Sequence, residues 1–157
     1  MNKSIDFMDR ARAEARLGIE RGDGGPFGAL VVQGDEIISR SHNEVLLRRD
    51  PTAHAEILAI RSAARVLGRP HLHDCVLYTT CEPCPMCLGA VAWARIPRLY
   101  YGCTRNDAEK IGFSDRRIYS LIRDEADAVS LTRIPLGRIS CLSLFEEWRR
   151  RKDSVVY

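Results

Sequence analysis

Near the N-terminus, Ile5, Met8, Ala11, Ala15 and Ile19 recur at helical spacing. The period predicts a helix with these residues on its inward face, capped by Ser4 and ending near Arg21-Gly22. Gly22-Asp23-Gly24-Gly25-Pro26 interrupts the pattern as a loop. It is no dinucleotide fingerprint, because Phe27 stands where a third glycine belongs and the loop precedes a strand instead of following one. Ala29–Val32 and Glu36–Ser39 read as strands joined by a tight hairpin at Gly34-Asp35.

Asp50-Pro51-Thr52 then reads as the start of a second long helix, a cap residue followed by proline. Ile57, Ile60, Ala64 and Leu67 face its core side, and Gly68 ends it. Cys75–Thr80 is a central strand that runs into Cys81-Glu82-Pro83-Cys84, and Pro85 opens a helix to about Ala94. Leu99–Tyr101 is a further strand. A long irregular segment follows, with a short helix near 117–123, a last strand at Val129–Ile134, and a closing helix whose face carries Leu142, Phe145 and Trp148. Strands alternating with helices imply an α/β sheet covered on both faces.

At 157 residues the chain is long enough for one domain with a real core. The longest uncharged apolar run, Met86–Ala94, is about half a membrane span. Charge appears in the first six residues before any apolar signal core, so the expectation is a cytoplasmic protein. The net charge of +3 rests on Arg149, Arg150, Arg151 and Lys152; the remaining 20 basic residues face 21 acidic ones. No broad basic face follows from this, which disfavours nucleic acid as a partner. The run itself suits a helix C-terminus.

Three of the six cysteines, Cys81, Cys84 and Cys87, fall at intervals of three. Without a secretion signal, such spacing points to metal or redox chemistry before disulfides. His54-Ala55-Glu56 lies upstream. Two thiolates and one imidazole fill three corners of a zinc tetrahedron and leave the fourth for water, which defines a catalytic site. Zinc lowers the pKa of bound water from about 16 toward 7, and Glu56 would move that proton to a substrate nitrogen. Residues two apart point to different sides of a helix, so His54 and Glu56 share a site only if His54 sits at the helix boundary. Two other ligand sets stay open: an iron–sulfur cluster on the three cysteines, or a closed structural zinc site on Cys81, Cys84, Cys87 and His54. His42, His71 and His73 read as surface residues.

At these residues the sequence resembles the cytidine-deaminase-like superfamily and, within it, the bacterial guanine deaminases. Gly24-Gly25-Pro26-Phe27-Gly28-Ala29 is similar to the family's first loop. Asp50-Pro51-Thr52-Ala53-His54-Ala55-Glu56 and Cys81-Glu82-Pro83-Cys84-Pro85-Met86-Cys87 match its zinc segments. Gly112-Phe113-Ser114-Asp115 resembles the guanine deaminase pocket loop, and Trp148 followed by the terminal Tyr157 resembles that family's tail. Residues 104–111, with Arg105 and Lys110, depart from the family in detail.

The resemblance implies a single deaminase domain over 1–157 with a three-layer α/β/α fold and a central mixed sheet of about five strands. It implies one zinc ion per subunit on His54, Cys84 and Cys87, with Glu56 as the catalytic acid–base. It implies a homodimer in which residues 149–157 exchange between subunits. Phe27, Asn43, Ala55, Trp93, Asp115 and Tyr157 would contact the substrate, a purine base, with guanine converted to xanthine and ammonia. By residue type five of these six have a plainer use: a turn bond for Asn43, core packing for Phe27 and Trp93, a helix cap for Asp115, a loose end for Tyr157. The zinc segments also fit a tRNA adenosine deaminase, or a deaminase of guanosine, cytosine or a triazine. A zinc-stabilised binding module without turnover is the non-enzymatic alternative, which leaves Glu56 without a task.

Overall fold

A computed structural model describes residues 3–125, 131–153 and 155–156. The elements run α1 (Lys3–Arg21), β1 (Gly28–Gln33), β2 (Glu36–His42), α2 (Val45–Arg48), α3 (Ala55–Leu67), β3 (Cys75–Cys81), α4 (Pro85–Trp93), β4 (Arg98–Cys103), α5 (Arg105–Lys110), α6 (Arg116–Ile122) and α7 (Arg138–Arg150). Among the described residues the sheet has four strands, in the order β2-β1-β3-β4. β1 pairs antiparallel with both β2 and β3, and β3 pairs parallel with β4, so the sheet is mixed.

Alternation along the strands divides the core into two. Leu30, Val32 and Tyr78 point to α1 and pack with Phe7 and Ala11. Ala29, Val31, Cys75 and Leu77 point the other way, onto Ala55, Ala59, Ile60 and Ala63 of α3 and Val91 of α4. Helices therefore cover both faces, and the three-layer expectation holds.

Several boundaries differ from the sequence reading. The buried side of α1 is Phe7, Ala11, Ala15 and Gly18, while Ile5 and Ile19 are exposed. The small residues set this phase, because they let α1 lie against β1 closely enough that a Cβ on Gly28 would stand 2.2 Å from the Ala11 carbonyl oxygen. Asp50-Pro51-Thr52 does not open a helix. Asp50 Oδ1 instead accepts from the Thr52 N–H at 2.8 Å and its hydroxyl at 2.7 Å, a local turn, and α3 starts only at Ala55. Gly68 does end it, in the left-handed region at φ 65°. Of the expected strand Val129–Ile134, residues 129–130 lie outside the described residues, and 131–134 carry no ladder, with Leu131 and Ile134 exposed. Strand-forming side chains need a neighbouring strand to pair with, and among the described residues this segment has none. α5 arises where an irregular segment was expected. Thr104 and Asp107 form a reciprocal capping box that starts it.

No helix among the described residues is long and apolar enough to cross a membrane.

Candidate metal centre and adjoining cavity

α3 and α4 begin side by side at the C-terminal end of β3, and both start on a ligand-type side chain. His54 is the N-cap of α3, with extended backbone at φ −71° and ψ 152°. Cys84 is the N-cap of α4, at φ −65° and ψ 168°, with Pro85 at the first helical position. Neither side chain caps its own helix. The delayed start of α3 removes the geometric difficulty of an i, i+2 pair: His54 sits off the helix, and Glu56 lies in its first turn. Cys87 lies in the first turn of α4. Two helix N-termini thus converge on two sulfurs and a carboxylate, and their dipoles favour the anionic forms.

His54 Nδ1 lies 3.6 Å from Cys84 Sγ and 3.5 Å from Cys87 Sγ. Tetrahedral zinc with ordinary Zn–S and Zn–N bonds demands an S···N separation of about 3.6 Å. The three ligand atoms all lie within 4.8 Å of one another. The donor set therefore fits zinc, with Nδ1 as the histidine ligand. Cys81 is outside this cluster. It is buried, and its thiol points to the Thr104 carbonyl at 3.7 Å. Neither four-ligand alternative is assembled.

The electrostatics match a cation site. The Cys87 thiol hydrogen-bonds Cys84 and, with His54, brings its pKa down to about 4, while the same bond and burial push Cys87 up. The bond to Cys84 raises His54. A dication bound to these three ligands would displace the protons they share. Glu56 is only 5 % exposed, and burial pushes its carboxyl up. Its oxygens meet Thr79 Oγ1 at 3.3 Å and Cys87 Sγ at 3.5 Å.

A cavity of about 440 Å³ opens in front of this cluster and contains His54, Glu56, Cys84, Phe27, Asn43 and Asp115 in its wall. Phe27 and Phe113 meet edge to face there, ring centroids 5.0 Å apart. Asn43 makes the turn bond, accepting from the Val45 N–H at 3.2 Å, and also accepts from the Gly25 N–H at 3.1 Å. Asp115 occupies the N-cap position of α6 but makes no capping bond, and burial followed by the Cys84 thiolate raises its pKa. Ala55 is wholly buried, with its methyl group in the core, and does not line the cavity. Trp93 does not reach the cavity of its own chain; it is 73 % exposed on the outer side of α4. Tyr157 lies outside the described residues. Phe113 and Thr79 join the site without having been named as site residues, although Phe113 was visible in the Gly112–Asp115 motif, and Arg105, noted as a departure from the family, lines the cavity. His42 is not a surface residue: it is 6 % exposed, against α1.

Residues 1–103 match the cytidine and deoxycytidylate deaminase zinc-binding region. The chain is 46 % identical over 151 residues to guanine deaminase of Bacillus subtilis (strain 168), covering 96 % of this chain and 97 % of that one. The X-ray structure of guanine deaminase from Bacillus subtilis superposes with a TM-score of 0.92 at 43 % identity, covering 97 % of each chain. The tRNA-specific adenosine deaminase of Agrobacterium fabrum (strain C58 / ATCC 33970) is 47 % identical, but over 102 residues, 65 % of this chain and 66 % of its own. With residues 1–103 matching that region and with sequence and fold shared along nearly its whole length with a relative, the chain belongs to the cytidine and deoxycytidylate deaminase zinc-binding family.

Proposed function

We propose that this chain is a zinc-dependent hydrolytic deaminase that converts guanine and water to xanthine and ammonia. The observation that carries the substrate is coverage. The likeness to the guanine deaminase of Bacillus subtilis runs through 96 % of the chain, whereas that to the tRNA-specific enzyme of Agrobacterium fabrum spans 65 %. α5 and α6, which help to wall the cavity, lie beyond the zinc-binding region at 1–103.

The cavity suits a flat heterocycle with polar edges. Phe27 and Phe113 offer aromatic faces. Asn43 uses its side-chain oxygen on two backbone N–H groups, so its amide nitrogen is what it presents, a donor for the 6-oxo oxygen or a ring nitrogen of guanine. Asp115 accepts from the N–H groups of the purine.

Zinc held by His54, Cys84 and Cys87 would supply Lewis-acid activation of a water and stabilise developing negative charge. Glu56 takes a proton from the attacking water and delivers it to a ring nitrogen beside carbon 2. Once the C–O bond has formed and carbon 2 is tetrahedral, Glu56 takes the remaining proton from the new hydroxyl and passes it to the amino group. The C–N bond then breaks and ammonia leaves. A carboxyl raised by burial holds this shuttled proton better than an exposed one.

The working form is a homodimer, with residues 149–157 of each chain closing the partner subunit's cavity and Tyr157 meeting the substrate. Exposed apolar side chains support this: Leu142, Phe145 and Trp148 on α7, no residue of which is buried, and Trp93 on α4. The enzyme acts in the cytoplasm, where the thiolate ligands stay reduced. Ammonia release from guanine, guanosine, adenine, cytosine and tRNA tests the substrate. Turnover of guanine well above the others is expected. Preferred turnover of tRNA, with affinity falling steeply in salt, would transfer the assignment to the tRNA enzymes.

A further inference from the structure

β2 ends on a buried histidine. The His42 ring lies against α1 at Gly18, where a Cβ would stand 2.7 Å from ring Cδ2. Its Nε2 hydrogen-bonds Asp23 Oδ2 at 2.8 Å, and Asp23 is itself buried. The charged groups facing the ring are Glu14 of α1, 3.7 Å from Nδ1, and Glu44, 4.0 Å from Nε2; Arg40 of β2 pairs with Glu14.

Asp23 is a node of the backbone. Its N–H donates to the Gly18 carbonyl, and its carbonyl accepts from the N–H groups of both Leu46 and Leu47, each at 3.0 Å. It thus ties the end of α1, the 22–26 loop and α2 together. Asn43 follows His42 directly. Its N–H donates to the Phe27 carbonyl at 2.9 Å, and its Oδ1 accepts from Gly25 of the loop. Gly24 packs so tightly that a Cβ there would lie 2.1 Å from Asn43 Oδ1. The orientation of the Asn43 amide therefore depends on where this loop sits, and the loop is held by the side chain one residue before Asn43.

A buried histidine and carboxylate cost desolvation free energy, which a pair of apolar residues would avoid. We propose that His42 is a positioning residue for substrate binding: its bond to Asp23 holds the 22–26 loop against the end of β2, so that Asn43 presents its amide nitrogen to the purine. The proposal rests on the reading of Asn43 as a base contact.

The test is steady-state kinetics on zinc-loaded enzyme for His42→Leu, His42→Gln, Asp23→Asn, Asn43→Ala and the double variant His42→Leu/Asn43→Ala. His42→Leu is expected to raise KM for guanine about tenfold, the scale of one lost charge-assisted bond, with kcat within about twofold and zinc content unchanged. His42→Gln, whose amide nitrogen can reach Asp23, restores KM. Should His42→Leu fail to fold, Asp23→Asn carries the test, because it keeps the volume and also raises KM. In the Asn43→Ala background the His42 change adds nothing. Additive effects, a fall in kcat at constant KM, or His42→Gln as impaired as His42→Leu would overturn the proposal and leave Asn43 in place. An unchanged KM in Asn43→Ala would overturn the reading of Asn43 and this proposal with it.

Discussion

Thr79 donates from Oγ1 to Glu56 Oε1 at 3.3 Å, and the threonine is wholly buried. The pair joins the central strand to the first turn of α3 and fixes the rotamer of the carboxylate that must meet both water and leaving group. Thr79→Val keeps the shape and removes the donor. It should lower kcat by about tenfold, the scale of one hydrogen bond to a charged group, with little change in KM. Thr79→Ser should recover most of the loss. A wild-type kcat in Thr79→Val would mean that Glu56 is held by its other neighbours alone.

Glu56→Gln should retain zinc and fold but lose about 10²–10⁴ in kcat, because the amide can neither take nor return a proton. Its effect on stability runs the other way. Burial raises the pKa of Glu56, so in zinc-free protein the folded state holds this proton more tightly than the unfolded state. Ionising it costs stability, and the cost grows as pH rises above the ordinary glutamate range. The glutamine stays neutral. Thermal unfolding of the zinc-free proteins should therefore show Glu56→Gln gaining Tm over the parent at neutral pH, with the gain vanishing near pH 4.

The metal triad and its glutamate were legible in the chain because each half is a short segment of fixed spacing, and chemistry joins the halves. What eluded the sequence depends on contacts between distant segments. Thr79 reads as one more strand residue until α3 is laid on β3. His42 reads as a surface residue until Gly18 makes room for it in α1. The phase of α1 was misjudged for a similar reason, since large apolar residues dominate a periodicity while Ala11, Ala15 and Gly18 decide how closely the helix approaches β1. The Asp-Pro-Thr segment carries a real local signal, but the turn it makes leaves His54 free of the helix.

Cys81 separates the open site from a fourth-sulfur site. Its thiol is pushed up to about 11, chiefly by burial, and Cys75 likewise. At pH 8 about one in a thousand of such thiols is ionised. Alkylation of the zinc-loaded enzyme followed by peptide mapping should label the exposed Cys103 and Cys141 first and leave Cys75 and Cys81 nearly untouched. Cys81→Ala should keep one zinc per chain by elemental analysis, whereas Cys84→Ala and Cys87→Ala should lose it. Loss of metal from Cys81→Ala would restore the closed four-ligand site.

Zinc removal should be felt in the fold as well as in turnover. His54 and Cys84 stand at cap positions yet cap neither helix, so the metal neutralises charge gathered at two helix starts. Dialysis against a strong chelator should abolish activity and lower Tm, and zinc should restore both. Glu56→Gln should show the same zinc dependence of Tm without activity, which separates the structural contribution of the metal from the chemical one.

The exchange of the C-terminal segment proposed above predicts complementation between two dead enzymes. A chain cut after Lys152 keeps the metal site and Glu56 but lacks Tyr157, and should turn over almost no guanine while unfolding at nearly the parental temperature. Glu56→Ala keeps the tail and lacks the acid–base. In a mixed dimer the Glu56→Ala subunit lends its tail to the truncated subunit, whose own Glu56 is intact, and one complete site results. Co-refolding the two in equal amounts should therefore recover roughly one quarter of parental activity, since about half the dimers are mixed and each has one working site. No recovery in mixtures shown by mass to contain mixed dimers would mean that each tail serves its own subunit. Full activity in the truncated chain alone would mean that the tail closes no cavity at all.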